Sequence, residues 1–295
     1  MQKIMLTGLF SFVVGLAPLA AKVSPKVAYG DDNRQEVADT QNSLHAKLAL
    51  STAAQIKWSK MNKTRRGYEL PTKTLRETFN VCRTERYAKQ LAAARCSGFL
   101  VAPDLLVTAG HCVPSQSHCN DYAWVFDYRE GEIGSGSVSK KSVYKCKKIL
   151  NQKLDSFAKA DYALVQLDRE VDDREPLTFR TEGKVSTGTE LVVIGHPSGL
   201  PTKIAGDASV HANSHQEYFV SDLDTFGGNS GSAVFDAKTG LVEGILVRGA
   251  KDYINSAAGC RVVNNCSKIG ASGCGGESVS RITRVNIPKY SKSNK

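Results

Sequence analysis

Short runs of Val, Ile, Leu and aromatic residues, separated by Gly, Ser, Thr and Asn, recur along most of this chain. They fall at Ser97 to Val101, Leu105 to Thr108, Ala123 to Tyr128, Ala163 to Leu167, Glu190 to Ile194, Tyr218 to Ser221, Ser232 to Phe235 and Leu241 to Val247. Runs of this length bounded by turn formers predict antiparallel strands. Helical patterning competes in two places. Leu44 to Lys60 reads as well for helix as for strand, and Thr84 to Ala94 is Ala-rich with good helix formers. The expected fold class is all-β with a few short helices.

Polar stretches divide the chain. Lys57 to Arg95 is basic and poor in alternation, which predicts an insertion loop with one short helix; its Arg65-Arg66 pair reads as part of a solvated loop. Asp168 to Thr178 is charged and carries Pro176, as a linker between two halves would. The halves are expected at 27–168 and 169–290, with a basic tail at 291–295. No internal repeat is visible.

The N-terminal pattern differs from the rest. Lys3 precedes an apolar stretch from Ile4 to Leu16, and small residues follow at Ala17, Ala20 and Ala21. That is the layout of a signal peptide over 1–21. The apolar stretch is shorter than the roughly 20 residues that span a bilayer, and no later stretch reaches that length. The expectation is a secreted protein, extracellular or periplasmic, with no membrane insertion once the signal is removed.

All eight cysteines, Cys82, Cys96, Cys112, Cys119, Cys146, Cys260, Cys266 and Cys274, follow that segment. An even count in an exported chain points to disulfides. No pair has the two-residue spacing of a zinc knuckle, so no metal is expected. At 41% hydrophobic, the chain has enough core for one large domain or two small packed ones. The formal net charge is +10, yet Lys and Arg are scattered and aromatics sparse. With no nucleic-acid motif present, the charge favours retention near anionic envelope surfaces over a nucleic-acid partner.

Three segments carry chemistry. Thr108-Ala109-Gly110-His111-Cys112 follows an expected strand, and Gly227-Gly228-Asn229-Ser230-Gly231-Ser232 precedes another. Between them, Asp161-Tyr162-Ala163-Leu164-Val165 sets an acid at the head of an apolar run; Asp155, Asp168 and Asp172 lie nearby but open none. A serine hydroxyl is a poor nucleophile, so an imidazole must take its proton during attack and return it to the leaving group. A carboxylate then holds the imidazole tautomer and stabilises the imidazolium. Ser230, His111 and Asp161 supply these groups, and the glycines let the Gly228 and Ser230 amides face a developing oxyanion.

In the order His, Asp, Ser, these segments resemble the chymotrypsin-like (trypsin-like) serine proteases. Cys96-Ser97-Gly98-Phe99-Leu100 before the histidine and Cys112 after it match that family's histidine-loop disulfide, so the resemblance implies a Cys96–Cys112 bridge. For the other cysteines, the expectations are Cys119 with Cys146 and one pairing within Cys260, Cys266 and Cys274.

Within the superfamily the chain is most similar to bacterial secreted glutamyl endopeptidase-like enzymes. The likeness is carried by Asp31-Asp32-Asn33-Arg34-Gln35-Glu36-Val37-Ala38-Asp39-Thr40, by Asp224-Thr225-Phe226-Gly227-Gly228-Asn229-Ser230-Gly231-Ser232 and by Gly195-His196-Pro197-Ser198-Gly199. It spans about Val27 to Val247, with gaps in the 57–95 insertion. It implies two packed six-stranded antiparallel β-barrels, with His111 and Asp161 from the first half and Ser230 from the second. It further implies a monomer that hydrolyses peptide bonds in protein or peptide substrates without a cofactor. A mature start near Val27 would leave 22–26 as a short propeptide.

The resemblance places substrate binding at Asp224, Thr225, Leu246, Val247, Arg248 and Gly249. Glutamyl preference in that group relies on a histidine where Leu246 stands here, so it does not carry over. Asp224 lies six residues before Ser230, where trypsin-like enzymes hold the acid that pairs with Lys or Arg. Similar Asp-Thr pairs in the bacterial group need not face the pocket; the working expectation is a slight preference for Lys or Arg. Arg248 is expected to project into solvent. The rival is a catalytically silent protein of the same fold that binds or adheres through its cleft, and no triad position is lost here to favour it.

Overall fold

The computed structural model describes residues 28–134, 136–272 and 274–291. The expected signal peptide, the propeptide and the tail after Ser291 lie outside the described residues.

Six antiparallel strands close a first barrel: β1 (Thr52–Lys57), β2 (Cys96–Ala102), β3 (Leu105–Thr108), β4 (Tyr122–Val125), β5 (Val143–Asp155) and β6 (Ala160–Leu167). Around its wall they run β1-β2-β3-β6-β5-β4. Six more close a second: β7 (Glu190–Gly195), β8 (Lys203–Ala212), β9 (Tyr218–Ser221), β10 (Ala233–Asp236), β11 (Val242–Arg248) and β12 (Glu277–Arg281). Their order is β7-β8-β9-β12-β11-β10, the first order repeated. Closure leaves neither sheet an unpaired edge.

Period-two alternation explains how the barrels both fill and pack. Leu100, Leu106, Trp124, Ala163 and Val165 point into the first barrel, and Leu191, Val193, Phe219, Val234 and Val279 into the second. The residues between them in sequence point the other way. Phe99, Val101, Leu105, Val107 and Leu164 meet Val192, Ile194, Phe235, Ile245 and Val247 in a third cluster between the barrels. Both faces of these strands are therefore buried, which is why they read as near-continuous apolar runs.

Several elements differ from their sequence expectation. Leu44 to Lys60 divides into a helix at Ser43–Ala49, capped by the Asn42 side chain, then β1 and a single 3-10 turn at Trp58–Lys60. Thr84 to Ala94 forms no helix. Its backbone bonds elsewhere instead: Leu75 N–H donates to Gln90 O, Ala92 N–H to Lys73 O, and Ala93 N–H to Gly199 O. Long-range pairing there outweighs helix propensity, whose differences between ordinary residues are only roughly a few tenths of a kcal/mol each. The short helix of this insertion lies earlier, at Leu75–Phe79, where Thr74 and Glu77 form a capping box.

The stretch from Ala28 to Glu36 runs along the second barrel. Ala28–Tyr29 pairs in parallel with Asn265–Cys266, and Gln35–Glu36 pairs with Lys203 and Ile204 of β8. Arg34, 1% exposed, forks onto Asp32 and stacks 3.8 Å over the Phe226 ring. Disulfides join Cys82–Cys260, Cys96–Cys112, Cys119–Cys146 and Cys266–Cys274. Among the described residues no helix is long and apolar enough to cross a membrane.

Candidate functional site

His111 sits in the 3-10 turn Gly110–Cys112 directly after β3, and Asp161 is the second residue of β6. Because β3 and β6 are neighbours in the wall, histidine and acid meet although fifty positions separate them. His111 Nδ1 lies 2.8 Å from Asp161 Oδ2, and the His111 backbone N–H donates to Oδ1 at 3.1 Å. One carboxylate thus fixes both the ring and its backbone. An Nδ1–H donated to that oxygen leaves the Nε2 lone pair as the free position of the imidazole. Asp161 is 3% exposed, so water does not compete for the contact.

Ser230 lies in the turn that enters β10 of the other barrel. Asn229 N–H donates to Phe226 O at 2.9 Å and Ser232 N–H to Asn229 O at 2.8 Å, which winds the turn tightly. Gly228 and Gly231 adopt φ of +95° and +88°. A Cβ on Gly228 would lie 2.6 Å from His196 O, and one on Gly231 would strike Ser97 O and the Thr108 hydroxyl. Only glycine fits at either place. Among the described residues the Gly228 and Ser230 amides donate to no protein acceptor, whereas those of Asn229, Gly231 and Ser232 do.

The two barrels are pinned together at this point. Ser97 N–H donates to Ser230 O at 2.8 Å, the Ser97 hydroxyl donates to Gly228 O at 2.9 Å, and Cys112 Sγ lies 3.6 Å from Ser230 O. Ser97 adjoins Cys96, and Cys112 adjoins His111. The Cys96–Cys112 bridge therefore ties the histidine turn to the residue that holds the serine turn. His111 lies close to these two sulfurs, but their mutual bond leaves no thiolate for a metal. Sequence reasoning missed Ser97, whose only signal was its place after Cys96.

Beside Ser230 opens a pocket of about 200 Å³. Of the residues expected there, Thr225, Leu246, Val247, Arg248 and Gly249 line it, and Asp224 does not. The Asp224 carboxylate is turned to the N-terminal stretch, accepting from Tyr29 N–H at 2.6 Å and Asn33 N–H at 3.0 Å. Burial pushes that carboxyl up to about 6. Arg248 reaches back to Lys159 O at 3.1 Å and lies 3.8 Å from Asp161 Oδ2, so it turns toward the acid of the site as well as toward solvent.

Two acids that the sequence did not single out line the pocket instead. Asp252 accepts from Gly227 N–H at 2.8 Å. Glu277, at the start of β12 and 1% exposed, accepts from the Thr225 hydroxyl and from Ala250 N–H. No local motif marks either residue. His196, within the Gly195-His196-Pro197-Ser198-Gly199 segment, is fully buried; burial holds its imidazole down to about 3, so it stays neutral.

The family model described as "Trypsin-like peptidase domain" matches residues 96–245, just over half of the chain. No curated protein matches it. Among solved structures, that of a Glu endopeptidase in complex with MPD superposes with a TM-score of 0.51 at 16% identity, covering 90% of this chain and 99% of that one. Vibrio cholerae VesB protease gives 0.54 at 13% identity over 89% and 68%. Human heparin binding protein gives 0.52 at 13% identity over 84% and 93%. At these identities the likeness is one of fold.

Proposed function

The chain belongs to the trypsin-like peptidase family, and from that premise we propose that it is a secreted serine endopeptidase acting through Ser230, His111 and Asp161. The observation that carries this reading is the 2.8 Å contact of His111 Nδ1 with Asp161 Oδ2, set against a serine turn with two uncommitted amides. Ser230 Oγ attacks the scissile carbonyl as its proton passes to His111 Nε2, and Asp161 stabilises the imidazolium without taking the proton. The carbonyl oxygen, now an anion, is held by the Gly228 and Ser230 N–H groups; removing one such donor typically costs about 10²–10³ in rate. Collapse breaks the C–N bond, the amine leaves with the proton from Nε2, and water hydrolyses the acyl-Ser230 ester by the same steps reversed.

The backbone strand around Leu246 to Gly249 would pair with an extended substrate as an added strand. The mechanism draws on no cofactor, and a monomer carries all three groups. Disulfides closing every cysteine suit an oxidising compartment, in keeping with export. A catalytically silent binding protein is the rival, and the presence of His111, Asp161 and Ser230 in the sequence gives it no support.

The test is fluorophosphonate labelling of the purified protein beside Ser230→Ala, with a peptide panel run on both. Labelling and cleavage that vanish in the variant are expected. A folded, fully processed protein that neither labels nor cleaves would overturn the proposal in favour of the silent form.

A further inference from the structure

We infer that Glu277 is the specificity-determining residue of the pocket beside Ser230, and that it selects Lys or Arg as the side chain before the scissile bond. This deepens the endopeptidase reading and rests on it.

The pocket is assembled around Ser230 from three separate stretches: Thr225 to Gly227 ahead of the serine, Leu246 to Ala250 with Asp252 from β11 onward, and Glu277 from β12. β12 lies against β11, with Ser278 opposite Arg248, which brings the Glu277 carboxyl to the pocket wall. Gly249 leaves the room for it, since a Cβ there would collide with the carboxyl oxygens. The carboxyl is held by the Thr225 hydroxyl on one oxygen and Ala250 N–H on the other. It is a fixed group, not a side chain free to leave for solvent.

Its charge has no partner in the fold. Among the described residues no Lys, Arg or His forms an ion pair with Glu277 or with Asp252, the second acid lining the pocket. Asp224, behind Thr225, and the Tyr29 phenol add no positive charge. Among the described residues the one cation lining the pocket, Arg248, is engaged by Lys159 O and lies beside Asp161. Arg34 is forked onto Asp32. Burial, with Asp252 and Asp224 adding repulsion, pushes the Glu277 carboxyl up to about 8.

A buried acid without a cation is costly to keep, and such groups gather where a ligand supplies the missing charge. A Lys ammonium or Arg guanidinium in the pocket would pair with Glu277 and favour its ionised form. A substrate Glu would bring a third carboxyl to the same space. A neutral apolar side chain would desolvate both acids and pair with neither.

The experiment has two arms. In the first, wild type, Glu277→Gln and Asp224→Asn are titrated with a fluorophosphonate and assayed on peptides differing only in Lys, Arg, Gln, Phe or Glu before the cut. Per labelled site, wild type is expected to favour Lys and Arg over Gln by about 10- to 100-fold. Glu277→Gln should abolish that ratio and Asp224→Asn keep it. In the second arm, p-aminobenzamidine fluorescence reports cation binding to Ser230→Ala, and adding Glu277→Gln should weaken it by about tenfold or more.

Wild type that labels but prefers Phe or Glu overturns the inference while leaving the peptidase reading intact, and that result needs no variant to fold. Basic preference unchanged in folded Glu277→Gln overturns it equally. Protein that never labels, yet binds the cation in a Glu277-dependent way, supports the pocket assignment and sinks the peptidase reading instead.

Discussion

The Ser97 hydroxyl donates to the Gly228 carbonyl at 2.9 Å, from the opposite barrel to the one that carries the glycine. Its oxygen also accepts from His196 N–H at 3.0 Å. With Ser97 N–H on Ser230 O, one buried residue of β2 fixes the turn that presents Ser230 and the two amides beside it. Ser97→Ala removes the hydroxyl partner of the buried His196 N–H and of the partly buried Gly228 carbonyl, at a cost of about 1–3 kcal/mol. Stopped-assay kinetics per titrated site should show kcat down about tenfold and KM within about twofold, because the loss falls on oxyanion geometry. A fall in melting temperature with kcat unchanged would make Ser97 purely structural.

Asp161→Asn keeps the shape of the His111 contact but offers Nδ1 an N–H in one orientation, favouring the wrong tautomer. In the triad template this change costs about 10⁴ in kcat. The variant should fold with nearly unchanged circular dichroism and label with fluorophosphonate far more slowly than wild type. Rapid labelling would mean another acid orients His111.

Stability should depend on pH through Glu277 with a definite sign. Its folded value, about 8, lies above its ordinary 4.5, so the folded state holds the proton more tightly. The stabilisation is complete below about pH 4.5 and is lost as pH rises through 8. His196 acts oppositely: held down to about 3, it adds stability as pH rises from 3 to its ordinary 6.5. Urea unfolding at pH 5 and pH 9 should therefore show wild type losing ground to Glu277→Gln by on the order of a few kcal/mol. Equal pH profiles would show that Glu277 ionises as readily in the fold as in the unfolded chain.

Two disulfides should separate stability from chemistry. Cys82–Cys260 closes a span of 178 residues, between the insertion and a loop of the second half, and touches none of the candidate triad. Replacing both with Ala should cost about 2–5 kcal/mol and lower the melting temperature while leaving the labelling rate per folded molecule unchanged. The Cys96–Cys112 pair, adjoining Ser97 and His111, should lose both. Thermal melts and labelling rates on the two double variants decide it.

Strands β2, β3, β9 and β11 were legible as sequence because apolar runs between turn formers are local signals, and the His111 and Ser230 segments were legible because tight turns demand particular residues at fixed spacing. β5 was not. Its Lys145, Lys147, Lys148 and Lys153 are exposed on the outside of the barrel, and its pairing with β6 and β4 is what makes it a strand. The Thr84 to Ala94 stretch shows the reverse case, a favourable helical composition overruled by backbone partners remote in sequence.

The matching strand order of the two barrels left no trace visible in the sequence, because pairing order constrains which strands meet and not which side chains they carry. The pocket follows the same division. Asp224 had the suggestive spacing from Ser230, yet the chain turns it to Tyr29 and Asn33. Glu277, without any motif, reaches the cavity because β12 lies beside β11. Residue type and local spacing settle which groups can do chemistry; which of them share a cavity depends on contacts between strands far apart in the chain, and only the closed barrels bring those strands together.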